Sequence, residues 1–163
     1  MISPGRIALN LTTSGEEDIA DWSPDGAKIV FDNSERIFLA SLSGSTPELL
    51  VANGDYPMWS PEGGWIAFSR SSGSGGTSAI WLVHPDGADA HRVADGFSAV
   101  GWSRDGSHLA ILQAQTPSGT GTVFRTYAIV DVGTGNVRTL DIEAADTAGL
   151  LFRWPAQAGV AAH

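Results

Sequence analysis

Cysteine is absent from the 163 residues, which excludes disulfides, thiolate catalysis and cysteine-ligated zinc. Positive charge is scarce. Eight arginines and one lysine, Lys28, are scattered among 18 acidic residues, and the net charge is −9. Such a surface repels phosphate backbones and anionic lipid, so neither nucleic acid nor an anionic membrane is an expected partner. No apolar run approaches the length of a membrane span, and no membrane insertion is expected. The opening Met-Ile-Ser-Pro-Gly-Arg shows no basic region leading into an apolar stretch, so no export signal is expected in this sequence. Helical periodicity is missing throughout. What is abundant is glycine, with 20 copies, and tryptophan, with six. That combination suits an all-β protein of many short strands and tight turns.

The sequence repeats. Asp21-Trp22-Ser23-Pro24-Asp25-Gly26-Ala27-Lys28-Ile29-Val30-Phe31 aligns without gaps to Met58-Trp59-Ser60-Pro61-Glu62-Gly63-Gly64-Trp65-Ile66-Ala67-Phe68. It aligns equally to Gly101-Trp102-Ser103-Arg104-Asp105-Gly106-Ser107-His108-Leu109-Ala110-Ile111. A decayed fourth copy starts at Arg153-Trp154-Pro155 and lacks the serine and the acidic-glycine turn. Ser-Pro-Asp-Gly fits the four positions of a type I turn: proline presets φ at the second, aspartate tolerates the bridge region at the third, and glycine accepts positive φ at the fourth. Beyond the turn, Ile29/Phe31, Ile66/Phe68 and Leu109/Ile111 alternate with period two. Each copy therefore predicts a β-hairpin. Third strands are expected at Arg36–Leu42, Ala79–His84 and Arg125–Val132. Fourth strands are expected at Glu48–Val51, His91–Val93 and Asn136–Leu140. Four strands per unit, with 37, 43 and 52 residues between successive motif tryptophans, point to propeller blades.

The core W-S-P-D-G-x-x-I-x-F, strongest at Trp22–Phe31 and Trp59–Phe68, resembles the repeat of the TolB β-propeller. The same repeat occurs in the propeller domains of prolyl oligopeptidase-like and tricorn-like proteases. The fold expectation is an all-β propeller of four-stranded antiparallel blades in a single domain over residues 1–163. Residues Arg6–Leu11 read as an outer strand preceding the first hairpin, so the chain holds three full blades plus terminal fragments. These fragments can join into a fourth blade. Alternatively, two chains can pair head-to-tail, or the chain can be part of a larger propeller. Resemblance to TolB implies a periplasmic or extracellular scaffold, while the absence of an export signal leaves the compartment open.

In a propeller the loops from strand four to the next strand one share a face with those from strand two to strand three. The incoming loops carry Glu17, Asp18, Asp55, Tyr56, Phe97 and Asp146, which are the candidate ligand-binding residues. The two-to-three loops Ser71–Ser78 and Gln113–Thr122 are long, and Asp32–Glu35 is short. Together these features suggest an acidic, partly aromatic mouth suited to a cationic or polar peptide. The same residues also fit ordinary solvated loops. The histidines His84, His91, His108 and His163 lack metal-ligand spacing, and no Asp-x-Asp-x-Asp loop is present, so neither metal nor cofactor is expected. There is no G-x-S-x-G elbow, P-loop or dinucleotide fingerprint, and no catalytic residues are assigned. The motif tryptophans are expected in the core between blades, with Trp65 and Trp81 as the two whose exposure matters. The expected function is non-catalytic recognition of a protein or peptide through the loop face. The alternatives are a propeller hydrolase or lyase with a site at the channel mouth, and a self-assembling partial propeller with a structural role.

Overall fold

The computed structural model describes residues 19–44, 46–71, 78–115 and 124–140. They form twelve strands in three antiparallel four-stranded sheets, with no helix among the described residues. Blade 1 holds β1 (Ala20–Trp22), β2 (Lys28–Asn33), β3 (Arg36–Ser41) and β4 (Glu48–Val51). Blade 2 holds β5 (Asp55–Trp59), β6 (Ile66–Ser71), β7 (Ser78–Val83) and β8 (His91–Asp95). Blade 3 holds β9 (Ser98–Trp102), β10 (His108–Gln115), β11 (Phe124–Asp131) and β12 (Val137–Leu140). In each sheet the strands lie in chain order, so every blade is a meander. Arg6–Leu11 and the decayed repeat at Trp154 lie outside the described residues, as do the tips of the two long two-to-three loops.

The repeat forms for the reason its residues suggest. In each hairpin the glycine N–H donates to the serine carbonyl three residues back, at 2.8 Å for Gly26, 2.9 Å for Gly63 and 2.9 Å for Gly106. All three glycines have φ between 68° and 74°, the left-handed region open to a residue without Cβ. The serine hydroxyl then ties the turn to the returning strand. It accepts from the backbone N–H of Lys28, Trp65 and His108, at 2.8, 2.9 and 2.9 Å.

Packing between blades follows a single rule: the tryptophan ending a blade's first strand seats on the face of the preceding blade. Trp59 packs with Val30, Leu39 and Val51 of blade 1, together with Ile66 and Phe68 of its own blade. Trp102 packs with Ala67, Leu82 and Ala94 of blade 2 and donates its indole N–H to the Met58 carbonyl at 3.4 Å. Both are nearly closed to water, at 7% and 8% exposed. Trp22 departs from the expected core position, with 56% of its surface exposed. The motif is intact and its hairpin folds, but no blade among the described residues precedes β1 to receive the ring. A tryptophan of this kind is buried by its neighbour and not by its own sheet.

The expected loop Asp32–Glu35 is also shorter than the sequence suggests. β2 runs through Asp32 and Asn33, and only Ser34 and Glu35 turn. Both have positive φ, 51° and 61°, which gives the two-residue turn whose twist matches the strands it joins. Gln113 likewise belongs to β10 and Ser71 to β6, so pairing extends into the stretches expected as loop.

Candidate functional site

Strand geometry delivers part of the expected site. Asp55 and Tyr56 open β5 and are not in a loop, and Phe97 stands immediately before β9. Glu17, Asp18 and Asp146 lie outside the described residues. At the start of β5 the pairing with β6 is irregular between Asp55 and Met58. Pro57 has no N–H to give the ladder, and the Tyr56 N–H that the bulge takes out of it is received by Asp32 instead. The bulge places Tyr56 at φ 56°, a left-handed conformation unfavourable for a side-chain-bearing residue, and leaves the ring 48% exposed. Phe97 is 38% exposed, with the Arg125 guanidinium over its ring at 5.6 Å from the centroid. Among the described residues no hydrogen bond, ion pair or ring contact joins Phe97 to the Asp55–Tyr56 pair; they sit on successive blades of the same loop face.

The residue that organises this region is Asp32, read from sequence as part of a loop. It is buried in β2, where Oδ1 accepts from the Ile19 N–H at 2.7 Å and Oδ2 from the Tyr56 N–H at 2.8 Å. It thereby ties blade 1 to the strand entering blade 2. In blade 2 the residue one past the motif phenylalanine is Ser69, whose hydroxyl donates to the Phe97 carbonyl at 2.6 Å. A polar residue directly after the apolar end of the second strand is the signal that would have exposed both. Gly54 fits the same seam: a Cβ there would stand 2.7 Å from the Phe68 ring and 3.0 Å from Ile37. Its N–H donates to the Glu35 carbonyl at 2.9 Å.

The seam is negatively charged. Asp55 has its carboxyl pushed above the ordinary range, first by burial and then by the charges of Asp32 and Glu35. Among the described residues no basic side chain pairs with Asp32, Glu35 or Asp55. The nearby Arg70 is engaged elsewhere: its Nε donates to the Asn53 carbonyl at 2.8 Å and its guanidinium lies 4.3 Å from the Trp81 ring centre. Among the described residues the charge of Asp32, Glu35 and Asp55 therefore has no basic side chain paired with it.

Other constellations resolve into structure. Trp65 is partly buried, stacked on His84 at 3.7 Å between ring centres and edge-on to His91 at 5.2 Å, while Trp81 lies beneath Arg70. Neither ring is an open stacking platform. No group of three or more metal-ligating side chains occurs among the described residues. Ser107, His108 and Asp131 form a serine-histidine-aspartate series, with the Ser107 hydroxyl 2.7 Å from His108 Nδ1. Yet Asp105 accepts from the same hydroxyl at 2.8 Å, and His108 Nε2 is 3.9 Å from Asp131, too far for the orienting bond a catalytic base requires. These groups belong to the turns. On the opposite face an open depression of about 480 Å³ lies between blades 1 and 2, lined by Pro24, Lys28, Trp59, Glu62 and Pro85. The hydroxyl and carboxylate at its rim, Ser23 and Asp25, are used by their own turn at 2.6 Å.

The turn aspartates carry a pH consequence. Asp105 is held down to about 2 from 3.8, chiefly by the Ser103 hydroxyl, then by the Ser107 hydroxyl and N–H. Asp25 and Asp131 are lowered in the same way, by Ser23 and Thr134 first. A carboxyl depressed in the folded state stabilises it fully above the unfolded value and loses that contribution as pH falls through the folded one. Urea melts from about pH 5 down to about pH 2 are expected to show falling stability across the window from 3.8 to about 2. Asp105→Asn is expected to flatten that fall, and an unchanged slope would show that the turn bonds do not persist in solution.

No family model matches the chain. An uncharacterised protein of Agrobacterium fabrum is 32% identical over 142 residues, covering 73% of this chain and 44% of the relative. A protein assigned as TolB from Agrobacterium tumefaciens superposes with a TM-score of 0.62 at 22% identity, over 76% of this chain and 45% of that one. TolB from Acinetobacter baumannii gives 0.61 at 24% identity, over 78% of this chain and 33% of that one. The chain thus spans less than half the length of each. At this identity the likeness speaks for architecture and not for activity, because one propeller scaffold serves many functions. The repeat, the three meander blades and the superpositions agree: the chain has the TolB-type β-propeller fold.

Proposed function

We propose that the protein is a non-catalytic propeller module that recognises a protein or peptide through the face bearing Asp55, Tyr56 and Phe97, with preference for a cationic segment. The observation that carries this reading is the raised carboxyl of Asp55, crowded by Asp32 and Glu35 with no basic partner among the described residues, beside an exposed tyrosine held at positive φ. Strained residues concentrate where structure serves recognition, and an unneutralised charge beside an aromatic ring suits lysine or arginine. In the repeat, Asp18 stands where Asp55 stands, four residues before its tryptophan. It would add to the same potential.

The test uses a fluorescent lysine- and arginine-rich peptide and its glutamate-substituted counterpart, titrated with the full chain at low and moderate salt. The cationic peptide is expected to bind, more weakly as salt rises. Asp55→Asn and Tyr56→Ala are each expected to weaken binding by about tenfold or more, within the range of central interface residues. Folding is expected to respond in the opposite sense. A carboxyl raised in the folded state costs stability as pH rises through its folded value, so Asp55→Asn should melt no lower than the parent at neutral pH. Equal binding of both peptides, or undiminished binding by both variants, would sink the reading.

A further inference from the structure

We infer that the depression between the hairpin turns of blades 1 and 2 binds a small carboxylate with an apolar body, the carboxylate being taken by Lys28 and by the indole N–H of Trp59. The two seams between blades carry the inference, because the same motif closes them differently. At the second seam Trp102 donates its indole N–H to the Met58 carbonyl at 3.4 Å. The Glu62 carboxylate reaches across to the turn of blade 3, where it fills the place that a Cβ on Gly106 would take. Among the described residues neither contact forms at the first seam. Asp25 holds in its repeat the position of Glu62 and is one methylene shorter. Its carboxylate is drawn back onto the Ser23 hydroxyl at 2.6 Å and the Ala27 N–H at 3.0 Å. Over Gly63, the counterpart of Gly106, the nearest atom to a Cβ is the Pro24 Cδ at 3.6 Å. The indole N–H of Trp59, the counterpart of Trp102, is buried with no acceptor among the described residues. The seam opens there as the depression of about 480 Å³, lined by both turns and by Pro85.

What the depression presents defines its ligand. Lys28 is the chain's only lysine, lines the depression and makes no ion pair among the described residues. In the other two repeats its position holds Trp65 and His108, so the ammonium is peculiar to this seam. A buried donor without an acceptor costs stability, and a charged acceptor that reaches it recovers more than a neutral one. One carboxylate supplies that acceptor and a counter-charge for Lys28 together. Pro24, Pro85 and Trp59 give the apolar walls that usually surround the few polar groups of a small-molecule site. The acidic side chains in the lining narrow the class. Asp25 is held by its own turn, but its charge and that of Glu62 remain, so a single carboxylate is favoured over a dianion.

The test titrates the full chain with phenylacetate, with its uncharged amide of the same shape, and with N-acetylphenylalanine as the end of a peptide chain. Proton–nitrogen correlation spectra resolve the six indole N–H groups, and Trp59→Phe identifies the signal of Trp59. Phenylacetate is expected to move that signal and leave the Trp102 signal in place, while the amide binds at least about tenfold more weakly. Lys28→Met, which keeps the stem and removes the charge, is expected to abolish the preference for acid over amide. Asp25→Glu installs the residue that blade 2 already carries in this turn. Its longer carboxylate is expected to reach the open seam and weaken phenylacetate binding by about tenfold or more. Tighter binding of N-acetylphenylalanine than of phenylacetate assigns the site to a chain terminus, and the reverse assigns it to a free acid. A Trp59 signal that no acid moves overturns the inference, as does equal affinity for acid and amide, or a Lys28→Met chain that still prefers the acid. The depression lies on the face opposite Asp55 and Tyr56, so the result does not depend on the peptide titration.

Discussion

Trp59→Ala is expected to lower the stability of the chain by about 3–5 kcal/mol, read as a drop in the urea midpoint with little change of slope. The ring is 7% exposed and fills the seam between blades 1 and 2 against Val30, Leu39 and Val51. Among the described residues its buried indole N–H has no hydrogen-bond partner, so the loss is expected to be one of packing and not of a bond. Trp59→Phe keeps most of the apolar volume and removes the orphaned donor, and is expected to cost within about 1.5 kcal/mol. The comparison that decides the argument is Trp22→Ala, the same motif position with most of its surface open. It is expected to cost about 1 kcal/mol or less, as for a side chain left more than half exposed. Equal losses at positions 22 and 59 would mean that the tryptophans act within their hairpins, and the account of packing between blades would be wrong.

Asp32→Ala carries the second large effect, expected at about 2–4 kcal/mol. The carboxylate is buried and receives two backbone N–H groups, from Ile19 and from Tyr56, neither with another partner in the strand ladder. Alanine leaves both donors unsatisfied. Asp32→Asn retains one acceptor and is expected to lose roughly half as much, while removing a charge that raises Asp55. Titration of Asp55 by carbon-detected NMR should therefore move down in Asp32→Asn, toward the ordinary aspartate value. If Asp55 does not move, burial and Glu35 raise it without help from Asp32, and the seam is less charged than argued. The variant also separates structure from recognition. Loosening Tyr56 through its lost anchor should weaken peptide binding even where the chain remains folded.

What lay open in the sequence was everything set by near neighbours. Ser-Pro-Asp-Gly prescribes its turn through the φ of proline and glycine and the hydroxyl of serine. The alternation of Ile66 and Phe68 prescribes a strand, and the repetition of both prescribes blades. These rest on residues within about ten positions of each other, so the order of the amino acids carries them directly. The candidate site was legible only as a list of exposed types on one face. The sequence marked Asp55, Tyr56 and Phe97 without distinguishing a strained, crowded pair from an aromatic already covered by Arg125.

Tertiary structure decided the rest, and the reason is separation along the chain. The bond from Tyr56 to Asp32 spans 24 residues, that from Trp59 to the Asp21 carboxylate spans 38, and that from Trp102 to Met58 spans 44. The local pattern marks Asp32 only as a polar residue following the apolar end of its strand; which backbone groups it will bind is settled only once two blades have met. The same holds for Trp22 and Trp59, identical in motif and opposite in exposure. A tryptophan becomes core only when another sheet excludes water from it, and that is a property of the assembly of blades and not of the repeat.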